Sequence, residues 1–175
     1  MQTEYKIILI GDGGCGKTSY VNCLRKGEFS GKYIATQGVD VSPITFNTNH
    51  GTIIFKIWDC AGQEKFGGLK DGYYIGASGI LLMLDLTNKL SLGTMEHWVK
   101  DAERVVGDVP VIVCCNKIDA LNRKITEEMI KEVLPKTVPY FNVSAKINYN
   151  VQTPLLELAK KLTGHSDLEF VDDSH

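Results

Sequence analysis

A glycine-rich segment near the amino terminus carries residues that could bind phosphate. Residues 11–18 read Gly-Asp-Gly-Gly-Cys-Gly-Lys-Thr, which satisfies the G-x-x-x-x-G-K-[ST] pattern between an apolar run and a helical pattern. Such glycines let successive backbone N–H groups and a helix N-terminus face phosphate oxygens, while Lys17 can bridge the outer phosphates and Thr18 can reach Mg²⁺. A glycine-rich turn without a ligand is the alternative. The strand, loop and helix context favours a nucleoside triphosphate.

A second candidate phosphate and metal motif follows the third predicted strand. It is the sequence Asp-Cys-Ala-Gly, from Asp59 to Gly62. The carboxylate can orient Mg²⁺ through water, and the Gly62 N–H can meet the terminal phosphate. An aspartate at a strand end is otherwise more often a turn former or a helix cap. Beside a phosphate loop, we favour the metal role.

The identity of the base is predicted by Asn116, Lys117 and Asp119, which follow the apolar residues 111–115. Open α/β sheets bind their ligands at the carboxyl ends of strands. The Asp119 carboxylate can accept hydrogen bonds from the N1–H and the 2-amino group of guanine. Adenine lacks that amino group and its N1 is an acceptor, so it would leave a buried acceptor unpaired. The pattern therefore favours guanine.

Residues 144–146 follow the next predicted strand and read Ser-Ala-Lys. They can supply a backbone N–H to guanine O6 and a lysine stem over the ring face. Outside this set of motifs, a serine cap with a solvated lysine would be the better interpretation.

Alternating apolar and helical patterns predict the elements that position these groups. Strands are predicted over residues 5–10, 39–46, 52–58, 79–86, 109–115 and 140–143, and helices over residues 17–26, 91–106, 126–134 and 151–162. Residues 27–37 read as a long loop, and residues 47–51 as the connection of a hairpin. The alternation favours an α/β layer fold, with one domain over residues 1–164 and a short polar tail over residues 165–175.

Charge and hydropathy exclude several classes of function. The 175 residues include 19 Lys plus Arg against 21 Asp plus Glu, a net charge of −2, so no direct nucleic-acid binding is expected. No apolar run approaches the ~20 residues of a membrane span, and the amino terminus lacks a signal-peptide pattern. Neither a C-terminal prenylation box nor a glycine at position 2 is present, so no lipid anchor is expected.

The cysteines and histidines suggest no transition-metal site. Five cysteines without C-x-x-C spacing read as reduced thiols, and four histidines are scattered along the chain without a common ligand set. Cys15 and Cys60 lie in the phosphate loops, where nearby N–H groups could favour a reactive thiolate. We favour the alternative that each is a small packed residue.

In their order along residues 11–146, these motifs resemble the Ras-like small GTPases, and more closely the Ran family of nuclear-transport GTPases. The closer resemblance rests on residues 11–18, 33–36, 58–69, 71–74, 144–146, 148–150 and 168–171. The family has threonine where this chain has Cys15 and Cys60, leucine in place of Gln37, and a basic cluster in place of residues 133–136. The sequence ends at His175, before the family's long acidic extension, so the resemblance does not extend to the partners of that extension.

The resemblance implies a P-loop NTPase G domain with a six-stranded, mostly parallel sheet and helices on both faces. It implies a switch that hydrolyses GTP to GDP and phosphate, slowly unless stimulated, with Gln63 positioning the attacking water. The implied Mg²⁺ ligands are Thr18, Thr36 and Asp59. The implied nucleotide-binding residues are Gly11, Asp12, Gly13, Gly14, Cys15, Gly16, Lys17, Thr18, Ser19, Tyr33, Thr36, Gly62, Asn116, Lys117, Asp119, Ser144, Ala145 and Lys146.

The resemblance also implies partners. These are a GTPase-activating protein, a nucleotide exchange factor and transport receptors of the importin and exportin type. The resemblance further implies that the protein is a monomer and that it occurs in the nucleus and the cytoplasm. Three alternatives stay open: a Ran-related GTPase with vesicle or cytoskeletal effectors, a GTP-binding module with negligible hydrolysis, and an interaction protein that keeps a nucleotide for structural support.

Overall fold

A mostly parallel sheet organises the computed structural model of the chain, which describes residues 2–25, 32–34, 39–59 and 74–171. For residues 32–34 and 39 the backbone alone is described. The strands are β1 (Gln2–Ile10), β2 (Lys32–Ile34), β3 (Val39–Thr48), β4 (Gly51–Asp59), β5 (Gly79–Asp85), β6 (Val111–Asn116) and β7 (Tyr140–Asn142). The helices are α1 (Lys17–Arg25), α2 (Lys89–Val106), α3 (Glu127–Val133) and α4 (Thr153–Thr163).

The order of strands in the sheet is β2-β3-β4-β1-β5-β6-β7. Strands from β4 to β7 pair in parallel, whereas β2, β3 and β4 are antiparallel neighbours. The six predicted strands are all present. The sheet has seven strands because β2, a three-residue edge strand, forms inside the segment predicted as a loop, with Ile34 opposite Val39.

Helices cover both faces of the sheet, as predicted. Ile7 and Leu9 of β1 belong to the core cluster that includes residues of α1 and α4, whereas Ile8 and Ile10 belong to the cluster that includes residues of α2 and α3. Successive side chains of a strand point to opposite faces, so a central strand buried on both sides must be apolar throughout. All seven residues of β5 are buried for the same reason.

The segment that follows α4 packs against the hairpin of β3 and β4. The helix ends at Gly164, in left-handed conformation at φ 76°, and Leu168 is fully buried. The Phe170 ring stacks on Phe46 with centroids 4.1 Å apart, and Thr48 forms an antiparallel bridge with Phe170. Residues 165–171 are therefore attached to the domain. The predicted boundary at residue 164 stays a prediction, and residues 172–175 lie outside the described part.

Across the described ranges, no helix combines the length and the apolar character that a bilayer crossing requires.

Candidate nucleotide-binding site

The glycine-rich loop connects the carboxyl end of β1 to α1, and residues 13–19 line a cavity of about 290 Å³. Gly16 has a φ of 99°, and a Cβ there would lie 2.2 Å from Asn116 Nδ2. A Cβ at Gly11 would lie 2.5 Å from the carbonyl oxygen of Met83. Both positions require glycine because the loop passes close to other strand ends.

Lys17 is buried at the start of α1, with its ammonium group inside the loop. Its Nζ donates to the carbonyl oxygens of Gly11 and, at 3.2 Å, of Asp12. Backbone carbonyls therefore hold the cation where the sequence pattern predicts that it meets the outer phosphates.

Cys15 is packed beneath this loop, as the preferred interpretation predicted. Its side chain is 1% exposed, and burial raises the pKa of the thiol to about 11, although Lys17 opposes the shift. A thiol with this pKa is a poor nucleophile at neutral pH. Cys60 lies outside the described residues, and the four cysteines inside them are free.

The two predicted Mg²⁺ ligands that the structure describes lie in direct contact. Thr18 Oγ1 donates to Asp59 Oδ2 at 2.8 Å, although the two residues are 41 positions apart in the sequence. Asp59 is buried at the end of β4, next to β1 in the sheet. Both side chains offer oxygen atoms, the donors that Mg²⁺ prefers, so the pair fits an ion that Thr18 contacts and that Asp59 orients through water.

Three predicted residues fall outside the described part of the chain. They are Thr36, Gly62 and the predicted catalytic residue Gln63. Tyr33 is described only through the backbone of β2. Their roles stay predictions.

The predicted base-binding residues, apart from the buried Ser144, line one cavity at the carboxyl edge of the sheet. Its volume is about 860 Å³, and Gly16, Ser19, Asn116, Lys117, Asp119, Ala145 and Lys146 are among the residues that line it. Asp119 Oδ1 accepts a hydrogen bond from Ser144 Oγ at 2.6 Å, which lowers the pKa of the carboxyl group. Asp119 is therefore ionised at neutral pH, as an acceptor for the N–H groups of guanine must be.

The Asn116 side chain connects the phosphate loop with the loop that follows β7. It is buried at the end of β6, where Nδ2 donates to the carbonyl oxygen of Cys15 at 2.9 Å. Its Oδ1 accepts from the backbone N–H of Ala145 at 3.1 Å. One amide group thereby connects the phosphate loop to the loop that carries Ala145, a residue predicted to bind the base.

Lys117 extends this connection. The residue has a φ of 70°, and its Nζ donates to the Gly14 carbonyl at 3.0 Å and to Asp85 Oδ2 at 2.9 Å. Burial raises the pKa of Asp85, but hydrogen bonds from Lys117 and Thr87 outweigh it and hold that pKa below its usual range. The sequence analysis missed Asp85, although a carboxylate at the end of an apolar strand was a usable signal.

The sequence analysis also missed the surroundings of Asp12, which it assigned only to the nucleotide. The Asp12 carboxylate accepts from Thr94 Oγ1 at 2.5 Å and from Trp98 Nε1 at 2.8 Å, both on α2. No local pattern could indicate contacts across more than 80 residues of sequence. They attach the phosphate loop to the helix beside it.

A phosphate loop directly before a helix, beside a carboxylate that can accept hydrogen bonds from guanine, is typical of P-loop nucleotide-binding proteins. The sequence model of the Ras family matches residues 6–164, and the chain belongs to this family. It is a GTP-binding switch that hydrolyses GTP, as Ras-family members do. The α/β fold class predicted from the sequence is confirmed.

Ras-family GTPases bind GTP and GDP, typically with Mg²⁺, and generally interact with activating proteins and exchange factors. Thr18 and Asp59 would hold the ion in this chain. When bound, Mg²⁺ neutralises charge on the outer phosphate oxygens. Lys17 would add a second positive charge beside them, and the backbone N–H groups of the loop would orient the phosphates.

Proposed function

We propose that this GTPase acts in nucleocytoplasmic transport, binding receptors of the importin and exportin type in its GTP-bound state. The observation that carries the proposal is the resemblance to the Ran family beyond the shared nucleotide motifs. It extends past those motifs in residues 33–36 and 58–69, and it includes residues 168–171, which belong to none of them. The nucleotide motifs select GTP but do not select a partner, so partner choice must depend on other segments.

The position of residues 168–171 supports this proposal. The segment contacts the β3–β4 hairpin, where the Val171 N–H donates to the Asn47 carbonyl at 2.8 Å and Phe170 stacks on Phe46. Strand β4 of this hairpin ends at Asp59, in the nucleotide site. The segment that resembles the Ran family is thus attached to an element that reaches the γ-phosphate region.

The γ-phosphate and Mg²⁺ would order the loops around Thr36 and around residues 62–72, and hydrolysis would release them. Receptor affinity then follows the order of these loops. The same proposal predicts that the protein occurs in both the nucleus and the cytoplasm, which fluorescence microscopy of the tagged protein can test.

The direct test is capture of partners from nuclear and cytosolic extracts. Gln63→Leu protein loaded with GTP serves as bait, because leucine cannot position the attacking water and the bait stays in its GTP form. The same variant loaded with GDP is the matched control. We expect mass spectrometry to find importin-like receptors on the GTP bait and not on the GDP control.

Retention of vesicle or cytoskeletal effectors instead would contradict the transport role and assign the protein a different effector set. Identical partners on both baits would contradict the switch itself.

A further inference from the structure

Two histidines and an aspartate meet at the tip of the β3–β4 hairpin. His50 Nε2 lies 2.9 Å from Asp167 Oδ1, and the rings of His50 and His165 stack with centroids 3.9 Å apart and planes 3° from parallel. One possible ligand atom from each of the three side chains lies within 4.8 Å of the other two. From the sequence, the histidines were expected to share no ligand set. The fold nevertheless places His50 beside His165 and beside Asp167, which is 117 residues away in the sequence.

This cluster lies at the edge of the sheet opposite to the nucleotide site. Next to the hairpin tip, Thr52 pairs with Gln2, whereas Asp59 pairs with Leu9 at the other end of β1. Seven residues of a strand span about 23 Å. The cluster therefore belongs to neither the phosphate loop nor the base pocket.

Hydrogen bonds of Asn49 hold the two segments of the cluster together. Asn49 Nδ2 donates to the Asp167 carbonyl at 3.0 Å, and Asn49 Oδ1 accepts from the Glu169 N–H at 2.9 Å. The Asn49 N–H donates in turn to the Glu169 carbonyl at 3.2 Å. An ion that binds here would not have to bring the two segments together, so the entropic cost of binding is lower than for unconnected loops.

We propose that His50, His165 and Asp167 bind a divalent transition-metal ion of the zinc class. Two imidazole nitrogens and a carboxylate oxygen are donors typical of Zn²⁺, whereas Mg²⁺ and Ca²⁺ prefer oxygen ligands alone. Bonds of about 2.0–2.1 Å in tetrahedral geometry place ligand atoms about 3.3 Å apart. In the structure the ligand atoms lie up to 4.8 Å apart, which exceeds this spacing by roughly 1 to 2 Å. All three residues are exposed, so rotation of their side chains can close the difference. Water would complete the coordination.

A bound ion would link the β3–β4 hairpin to the segment that follows α4. The proposal concerns this link and does not depend on the transport role. It predicts a higher melting temperature on addition of zinc, because the ion binds the folded chain and the ligands are separated in the unfolded chain.

The test is calorimetric titration of Zn²⁺ into the full chain loaded with GDP and excess Mg²⁺, so that the nucleotide site is occupied. We expect one ion per chain. His50→Ala and Asp167→Asn should each weaken the affinity at least about tenfold, since loss of even an outer-shell partner has an effect of that size. His97→Ala removes an exposed histidine of α2 and should leave the affinity unchanged.

NMR spectra of the histidine rings give a second measurement. The signals of His50 and His165 should shift in proportion to the added zinc, and the His97 signal should not move. Urea unfolding in the absence of metal shows whether each variant is folded before titration. Zinc binding of unchanged affinity in folded His50→Ala and Asp167→Asn, or shifts confined to other histidines, would overturn the proposal.

Discussion

A methyl group added at Gly16 would collide with the side chain of Asn116, and its effect follows from the contacts of both residues. Alanine at a φ of 99° costs roughly 1–2 kcal/mol in backbone strain. A Cβ 2.2 Å from Asn116 Nδ2 displaces the amide from its hydrogen bonds to Cys15 and Ala145. Each lost buried hydrogen bond costs about 1 kcal/mol or more. Gly16→Ala should therefore reduce the free energy of unfolding by about 3–5 kcal/mol.

Gly164→Ala is the matched control. Gly164 also has a positive φ, of 76°, but a Cβ there meets no atom within 4 Å, so only the strain of roughly 1–2 kcal/mol remains. Urea unfolding followed by tryptophan fluorescence should show a difference of about 2 kcal/mol or more between the two variants. This corresponds to about 30-fold in an equilibrium constant.

Nucleotide affinity should separate the two variants further, because Asn116 connects the phosphate loop to the base-binding residues. Dissociation of a fluorescent GDP analogue should be faster from Gly16→Ala than from Gly164→Ala by at least about tenfold. Equal losses of stability and equal dissociation rates in the two variants would show that Asn116 does not connect the phosphate loop to the predicted base-binding residues.

Three further predictions concern single side chains of the site. Asp85→Asn should destabilise the protein at neutral pH. Because the pKa of Asp85 is lowered in the folded state, the carboxylate contributes fully to the free energy of unfolding above about pH 4, and this contribution disappears as the pH falls further. Urea unfolding of both proteins at several pH values measures the difference. Gln63→Leu should keep GTP binding and suppress hydrolysis, measured as phosphate release in a single turnover. Trp98→Phe removes a donor to the Asp12 carboxylate and should cost about 1.5–3 kcal/mol of stability, since the acceptor is charged.

Two of these predictions have a matched control variant, and each of the three has a result that would contradict it. Glu96→Gln breaks an exposed ion pair and should cause almost no loss of stability at neutral pH. If Asp85→Asn loses no more stability than Glu96→Gln, the role of the Asp85 carboxylate is contradicted. Trp58→Phe controls for the loss of indole volume, and a loss there as large as in Trp98→Phe would contradict the Asp12 contact. Hydrolysis at the wild-type rate in Gln63→Leu would remove Gln63 from the reaction.

The nucleotide site could largely be located from the sequence because its residues follow strand ends. Parallel strands that meet at one edge bring Lys17, Asp59, Asn116 and Asp119 together without further information. Glycine spacing alone indicated the shape of the phosphate loop, which the positive φ of Gly16 confirms.

Contacts between distant segments could not be predicted. The bond from Trp98 to Asp12 and the stack of His50 on His165 depend on tertiary packing, for which the local pattern carries no signal. Strand β2 was missed because a polar, glycine-containing stretch resembles a loop, and edge pairing requires few apolar residues. Residues 165–171 were assigned to a tail because the chain becomes polar and acidic after Gly164. Its few apolar residues gave no sign that they pack on a hairpin more than 100 residues away in the sequence.

Asp119 is predicted to recognise guanine, and the dissociation constants of GTP and xanthosine triphosphate measure that recognition. Asp119→Asn replaces the ionised acceptor with an amide that can donate to the 2-oxo group of xanthine. Two exchanged hydrogen bonds at about 1.5–3 kcal/mol each predict that the preference for GTP over the xanthine nucleotide falls at least about a hundredfold. Asp108→Asn, at an exposed position, should keep the wild-type preference. Unchanged GTP affinity in Asp119→Asn, without a gain for xanthosine triphosphate, would show that Asp119 does not bind the base.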